Sequence, residues 1–323
     1  MTVRTLPSTQ LLLDMAEREA LRAALGKALR EKEPLSRYTS ARIGGPAEFL
    51  TLAETADELA GQVRAAWHFG IRATLLGGGS NVLVSDAGVR GLVAVNRAKG
   101  VDFQENGDEV LVWAESGVNL GALARQCLQR GYAGLEWATT VPGTVGGAVY
   151  GNAGAHGGDI AGNLVMAEIL HHDGLVREWS KAELEFDYRT SALKSHKNGR
   201  DAVVLGAELA LTRSDPVELQ ARMDDFAAHR KRTQPPGASI GSMFKNPEGD
   251  YAGRLIEAAG LKGKRIGQAE ISTVHANFFV NLGDARASDV LSLIHLAHEA
   301  VQTRFGVDLE LEVELVGEWG GQC

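Results

Sequence analysis

Leu75-Leu76-Gly77-Gly78-Gly79-Ser80-Asn81-Val82-Leu83-Val84 sets the architecture of this chain. An apolar strand runs straight into a glycine cluster, and another resumes on its far side. Glycine lets backbone N–H groups approach and face a ligand. A second cluster follows about one domain's width later: Val141-Pro142-Gly143-Thr144-Val145-Gly146-Gly147, then Gly151-Asn152-Ala153-Gly154. Two such loops are suited to hold the two phosphates of a dinucleotide by main chain alone. The first lacks the lysine of G-x-x-x-x-G-K-[ST] and the spacing of G-x-G-x-x-G, so it is neither a P-loop nor a Rossmann turn. Alone, a glycine run is a tight turn about as often as a ligand loop. The glycine-rich stretch from 134 to 158 is too long for a loop without a task. That favours cofactor contact.

The flanking elements alternate irregularly. Residues 9–31 read as an amphipathic helix stopped before Pro34. Further helices are expected over 54–68 and over 119–130, the latter closed by Gly131. Strands are expected at 48–52, 71–76, 92–95, 110–113, 165–171, 175–179 and 202–212. A helix over 215–232 ends in His229-Arg230-Lys231-Arg232, and Gln234-Pro235-Pro236-Gly237 breaks the chain. Beyond it come a helix at 250–259, strand-like runs at 270–274 and 277–281, a helix at 287–304 and a last strand at 308–316. The pattern is α+β or mixed α/β. It divides into an N-terminal helix (1–34), a module over 35–214 whose halves meet near residue 100, a C-terminal domain (215–317) and a tail (318–323).

The 323 residues, 44% of them hydrophobic, are enough for two or three domains with sizeable cores. A net charge of −8 argues against nucleic acid or an acidic membrane as partner. An anionic small ligand must then be met by local cations and backbone dipoles. Cys127 and Cys323 form no disulfide framework and begin no metal-ligand spacing. His171-His172, His295 and His298 have no acidic partner at a metal spacing, so no metal is expected. Met1–Pro7 is polar, Leu11–Leu13 is too short for a signal segment, and no apolar run reaches ~20 residues. A cytoplasmic enzyme is expected.

Three later motifs carry chemistry. Tyr188-Arg189-Thr190-Ser191 offers a guanidinium fork for a carboxylate, although a lone arginine there also reads as a surface ion pair. Gly241-Ser242-Met243-Phe244-Lys245-Asn246-Pro247 gathers a hydroxyl, an ammonium and an amide. A serine protonates a carbanion only when held against it, and a turn cap is the plainer reading. No G-x-S-x-G elbow is present, which excludes the usual hydrolase nucleophile. In Leu309-Glu310-Leu311-Glu312-Val313-Glu314-Leu315 the glutamates share one strand face. A solvated charged face is the plainer reading for any one of them, but a like-charged row is mildly self-repulsive, so at least one is expected to face a cationic site.

Together and in this order, these motifs resemble the UDP-N-acetylenolpyruvoylglucosamine reductase family of peptidoglycan precursor synthesis. The resemblance runs from about Leu35 to Gly317 and includes Arg42-Ile43-Gly44-Gly45-Pro46-Ala47. It implies a two-subdomain FAD-binding module of the vanillyl-alcohol-oxidase type plus a C-terminal α+β substrate domain. The run from Gly249 to Phe278 resembles the shorter, type II form. It further implies non-covalent FAD reduced by NADPH, hydride transfer to C3 of an enolpyruvyl UDP-sugar, and protonation at C2. By motif position, Ser242 is the proton donor, with Arg189 and Glu312 at the substrate carboxylate. Glu312 beside an enolate is expected to be protonated or held by Arg189.

The cofactor residues implied are Arg42, Gly77, Gly78, Gly79, Ser80, Asn81, Pro142, Gly143, Thr144, Gly146, Gly147, Asn152 and Gly154. The substrate residues implied are Tyr188, Lys245, Asn246 and His275, with Arg230 or Arg232 at the diphosphate. His275 stands where some relatives carry glutamine, and Thr233 where some carry lysine. A monomer or weak oligomer is expected. An oxidase with covalent flavin is disfavoured because residues 70–90 contain no His or Cys. A non-catalytic dinucleotide-binding module would not need Ser242, Arg189 and Glu312 together.

Overall fold

Val89–Asn96 is apolar along most of its length, and seven of its eight residues are buried. That is the signature of a central strand covered on both faces. The computed structural model describes residues 15–195 and 202–320. In it, Val89–Asn96 pairs in parallel with Pro46–Ala53 on one side and Ala73–Leu76 on the other. Arg30–Pro34 adds an antiparallel edge. Helix Ala56–His68 starts at Thr55, whose side chain accepts from the Glu58 N–H, a cap of the usual kind. Its Leu59 and Val63 bury against Leu170, Val203 and Leu205 of the next sheet, joining the two halves.

Glu109–Glu115 instead alternates buried and part-exposed residues, so only one face meets a core. It lies in an antiparallel sheet ordered Val176–Ser180, Leu164–His171, Ala202–Arg213, Glu109–Glu115, Val101–Asn106. Helix Leu120–Gln129 packs on that core. Helix Pro216–Thr233 is capped by Asp215 and begins with proline. Its Leu219 and Met223 bury in the same core. The chain therefore leaves this layer only at Gln234-Pro235-Pro236.

The C-terminal sheet is antiparallel and ordered Ala238–Ser242, Phe278–Asn281, Ala269–Ile271, Arg265–Ile266. Helix Ala287–Phe305 covers it through Val290, Leu293, Ile294 and Val301. The chain then returns to the first half. Glu314–Val316 pairs in parallel with Val82–Val84, and Leu83, Ala41 and Ile43 enter the C-terminal core.

Three expectations change. The N-terminal helix is Met15–Leu25 followed by a 3₁₀ turn, and Arg30–Pro34 is a strand. Gly26, at φ +51°, ends the helix, and sheet pairing draws Arg30–Pro34 into extended form; residues 9–14 lie outside the described residues. The second glycine cluster, read as loop, contains helix Val145–Gly151 capped by Thr144. The last strand shrinks to Glu314–Val316, because residues 308–313 bond to Met243 and Lys245 around one isolated bridge, Phe244–Leu311, and build no continuous ladder. No helix among the described residues is long and apolar enough to cross a membrane.

Candidate active site

The two glycine clusters meet. A Cβ on Gly78 would lie 3.1 Å from Gly143 Cα, and one on Gly77 would lie 2.5 Å from Thr144 Oγ1. Ser80 Oγ donates to the Pro142 carbonyl at 3.3 Å. Gly79 has φ +59°, and a Cβ there would collide with the Tyr38 carbonyl oxygen. Only glycine lets these backbones approach so closely. Their outer side opens into a cleft of about 680 Å³ between the first two sheets, bordered by Ser40, Gly77, Gly78, Asn119 and Thr144. Arg37, Arg97 and Lys99 also line it, and among the described residues no carboxylate does. A basic cleft ending in exposed backbone amides suits a dinucleotide in a chain of net charge −8. Those three cations were missed in the sequence because they belong to no motif. Arg42, at φ +57° and exposed, is not among the residues lining this cleft.

Some expected cofactor residues have structural partners instead. Asn152 donates from Nδ2 to the Asp187 carbonyl at 3.0 Å and accepts the Ala161 N–H. A Cβ on Gly146 would strike Ser116, and one on Gly154 would strike Asp159. Gly147 lies in the first turn of the helix capped by Thr144.

Asn152 thereby anchors the Tyr188–Ser191 turn. Ser191 Oγ donates to the Tyr150 carbonyl at 2.7 Å, and Arg189 Nη2 donates to the Gly154 carbonyl at 2.8 Å. Arg189 itself sits at φ +57°, a conformation that costs a non-glycine residue about 1–2 kcal/mol. Its Nε lies 3.1 Å from Glu312 Oε1. The Nε–H is not aligned for a hydrogen bond, which leaves that donor unspent while Nη2 is held by the Gly154 carbonyl. Glu312 is largely buried. Burial pushes its carboxyl above the usual carboxylate range, against the pull of Arg189, Lys194 and Lys245.

Ser242 ends strand Ala238–Ser242 beside the same segment. The next residue, Met243, accepts the Glu312 N–H at its carbonyl, 3.0 Å away. Asn277, which sequence reasoning did not single out, fixes this turn. It accepts the Phe244 N–H at Oδ1 (2.9 Å) and donates from Nδ2 to the Phe244 carbonyl (2.7 Å). Asn81 reaches over from the first glycine loop, donating from Nδ2 to the Glu312 carbonyl at 3.0 Å. Arg189 and Glu312 thus meet side chain to side chain, and Ser242 precedes the residue that bonds the Glu312 backbone, three places far apart in sequence. All three glutamates of the alternating row meet a cation: Glu310 meets Lys245 and Glu314 meets Lys194, each at 2.7 Å.

Of the remaining candidates, Tyr188 is 51% exposed at the rim. Asn246 Oδ1 accepts the Ala252 N–H that opens helix Ala252–Ala258. His275 packs against Gly253 and Phe278. Its Nδ1 accepts the Asn277 N–H, which assigns the proton to Nε2, and burial lowers its pKa. Arg230 donates to the Thr140 carbonyl near the second glycine loop, whereas Arg232 is exposed.

Residues 233–316 match the family model described as UDP-N-acetylenolpyruvoylglucosamine reductase, C-terminal domain, and residues 47–180 match an FAD binding domain. The reductase of Chloroflexus aggregans is 47% identical over 301 residues, 92% of this chain and 100% of that protein. That of Rubrobacter xylanophilus is 49% identical over 88% of this chain and 94% of its own length. The chain belongs to the UDP-N-acetylenolpyruvoylglucosamine reductase family. The crystal structure of the Thermus caldophilus reductase superposes with a TM-score of 0.76 at 38% identity, covering 89% of this chain and 99% of that one. The fold is accordingly α+β, an FAD-binding domain followed by the reductase family's C-terminal domain. The chain is an oxidoreductase that uses FAD with NADPH as reductant.

Proposed function

We propose that the chain reduces UDP-N-acetylglucosamine enolpyruvate to UDP-N-acetylmuramate, with Arg189, Ser242 and Glu312 as the reacting side chains. The observation that carries this is their convergence: Arg189 lies 3.1 Å from Glu312, and the Glu312 backbone is bonded to the residue after Ser242. Gly77, Gly78, Gly79, Ser80, Gly143 and Thr144 would hold FAD, with Arg37, Arg97 and Lys99 beside it. When bound, FAD supplies the hydride, drawn from NADPH, that adds to C3 of the enolpyruvyl group.

Addition at C3 leaves negative charge at C2 and in the attached carboxylate. Arg189 is a fixed cation aimed at that charge, where electrostatic preorganisation acts most strongly. A protonated Glu312 adds a donor without opposing the charge. Ser242 delivers the proton to C2. Tyr188, Lys245, Asn246 and His275 border the substrate, and Arg230 meets its diphosphate. We place the boundary of the C-terminal domain at Gln234, because Leu219 and Met223 bury with the middle sheet. Residues 35–100 and 101–233 are then the two parts of the FAD module. A cytoplasmic enzyme, monomeric or weakly oligomeric, fits the chain best.

Anaerobic flavin absorbance tests this reading. NADPH should bleach the flavin, and the enolpyruvyl sugar nucleotide should rapidly restore it. In Ser242→Ala, bleaching should stay near normal while restoration collapses. Loss of both steps equally, or of neither, would remove Ser242 from its role. Rapid restoration by dioxygen alone would favour an oxidase.

A further inference from the structure

Two ion pairs bridge the same two segments. Arg189 and Lys194 lie on one short piece of the middle subdomain, and Glu312 and Glu314 lie on the returning C-terminal segment. Lys194 Nζ is 2.7 Å from Glu314 Oε1, with the side chains 16% and 37% exposed. Both ends are tied by backbone hydrogen bonds. Glu314 donates its N–H to the Asn81 carbonyl at 3.0 Å, and the Ala192–Ser195 helical turn is held through Ala192 N to the Leu184 carbonyl at 2.8 Å. Arg189 makes the looser contact of the two, since its Nε–H is misaligned on Glu312.

We infer that the Lys194–Glu314 pair is a positioning strut, setting the separation between the Arg189 turn and the Glu312 segment across the domain boundary. The inference rests on the roles proposed above for Arg189 and Glu312. Exposed ion pairs do little, but here the ammonium is mostly buried and bears on Glu312 as well as Glu314. Glu312 faces Arg189 and Lys194 from the middle subdomain and Lys245 from its own, with Glu310 and Glu314 on its own segment. By engaging Lys194, Glu314 keeps that charge from drawing Glu312 into its ionised form.

The strut predicts shifts of opposite sign. Glu314→Gln frees the ammonium toward Glu312, so the alkaline limb of substrate-driven flavin reoxidation moves to lower pH. Lys194→Met leaves Glu314 unpaired beside Glu312, so the limb moves to higher pH. Both should raise KM for the enolpyruvyl substrate roughly tenfold, as contacting charges couple, with NADPH-driven reduction unchanged. The K194E/E314K double variant should recover most of the loss. Glu314→Gln is isosteric, so its shift is readable even where Lys194→Met loses stability.

Limbs that move together or not at all, or a double variant no better than the singles, would overturn the strut. Arg189→Met and Ser242→Ala run in parallel as benchmarks. Should these leave reoxidation intact, the proposed chemistry fails. Should they abolish it while the Lys194 and Glu314 variants behave as wild type, only the strut fails.

Discussion

Replacing Asn277 by alanine should damage the proposed substrate step through a residue that never touches the flavin loops. Asn277 is 3% exposed and Phe244 1%. The amide of Asn277 satisfies both the N–H and the carbonyl of Phe244, at 2.9 and 2.7 Å. Alanine leaves both groups buried without partners, at about 1–3 kcal/mol each, so roughly 2–6 kcal/mol in total. That is a large part of a typical margin of about 5–15 kcal/mol. The turn from Ser242 to Lys245 would relax to recover those bonds. A displacement of ~1 Å at a reacting group costs about a hundredfold in rate. Urea unfolding measures the first quantity, and stopped-flow reoxidation by the enolpyruvyl substrate measures the second. Reduction by NADPH should change far less. A stability loss under ~0.5 kcal/mol, or a large loss with reoxidation unchanged, would refute the argument.

Gly79→Ala forces a side chain into a left-handed position against the Tyr38 carbonyl. The conformation alone costs about 1–2 kcal/mol, so FAD affinity should fall roughly tenfold in a flavin-release titration. Glu312 has its carboxyl raised by burial, so the folded state keeps a proton that the unfolded chain has lost. Its contribution to stability is complete below the ordinary carboxylate range and disappears as pH rises through the raised value. Substrate-driven reoxidation should fall over that same alkaline limb, and Glu312→Gln should flatten it; an unchanged limb in that variant rules Glu312 out. Burial pushes the Cys127 thiol up to about 12. In a Cys323→Ser variant it should therefore resist thiol reagents until the protein unfolds, and rapid native labelling would contradict its burial.

Periodicity and punctuation made most elements legible. Helix 54–68 and the break at Gln234-Pro235-Pro236 depend on local signals, a capping threonine and a proline pair. The alternating glutamates led to the expectation that at least one faces a cation, and all three do. Long-range burial was not legible. Nothing local tells that Leu219 and Met223 pack on the middle sheet, or that Arg30–Pro34 finds a sheet edge. Arg37, Arg97 and Lys99 meet only when two sheets form opposite walls of one cleft. Asn277 lies within the run from Gly249 to Phe278, but its function depends on a hydrogen-bonded partner 33 residues before it in the chain.

The parallel pairing of Glu314–Val316 with Val82–Val84 explains why the two halves of the site act as one. Asn81 ends the first glycine loop. It holds the Glu312 carbonyl with its side chain and the Glu314 N–H with its own carbonyl. The segment carrying the proposed acid is therefore registered on the cofactor loop largely by backbone, across more than 200 residues of intervening chain. Backbone pairing fixes position without depending on any one exposed charge. The C-terminal domain can then change its other side chains while Glu312 keeps its place against the first glycine loop. The same wiring predicts that displacing the loop at Gly79 disturbs Glu312 as well as cofactor binding, so Gly79→Ala should slow both steps of the proposed reaction.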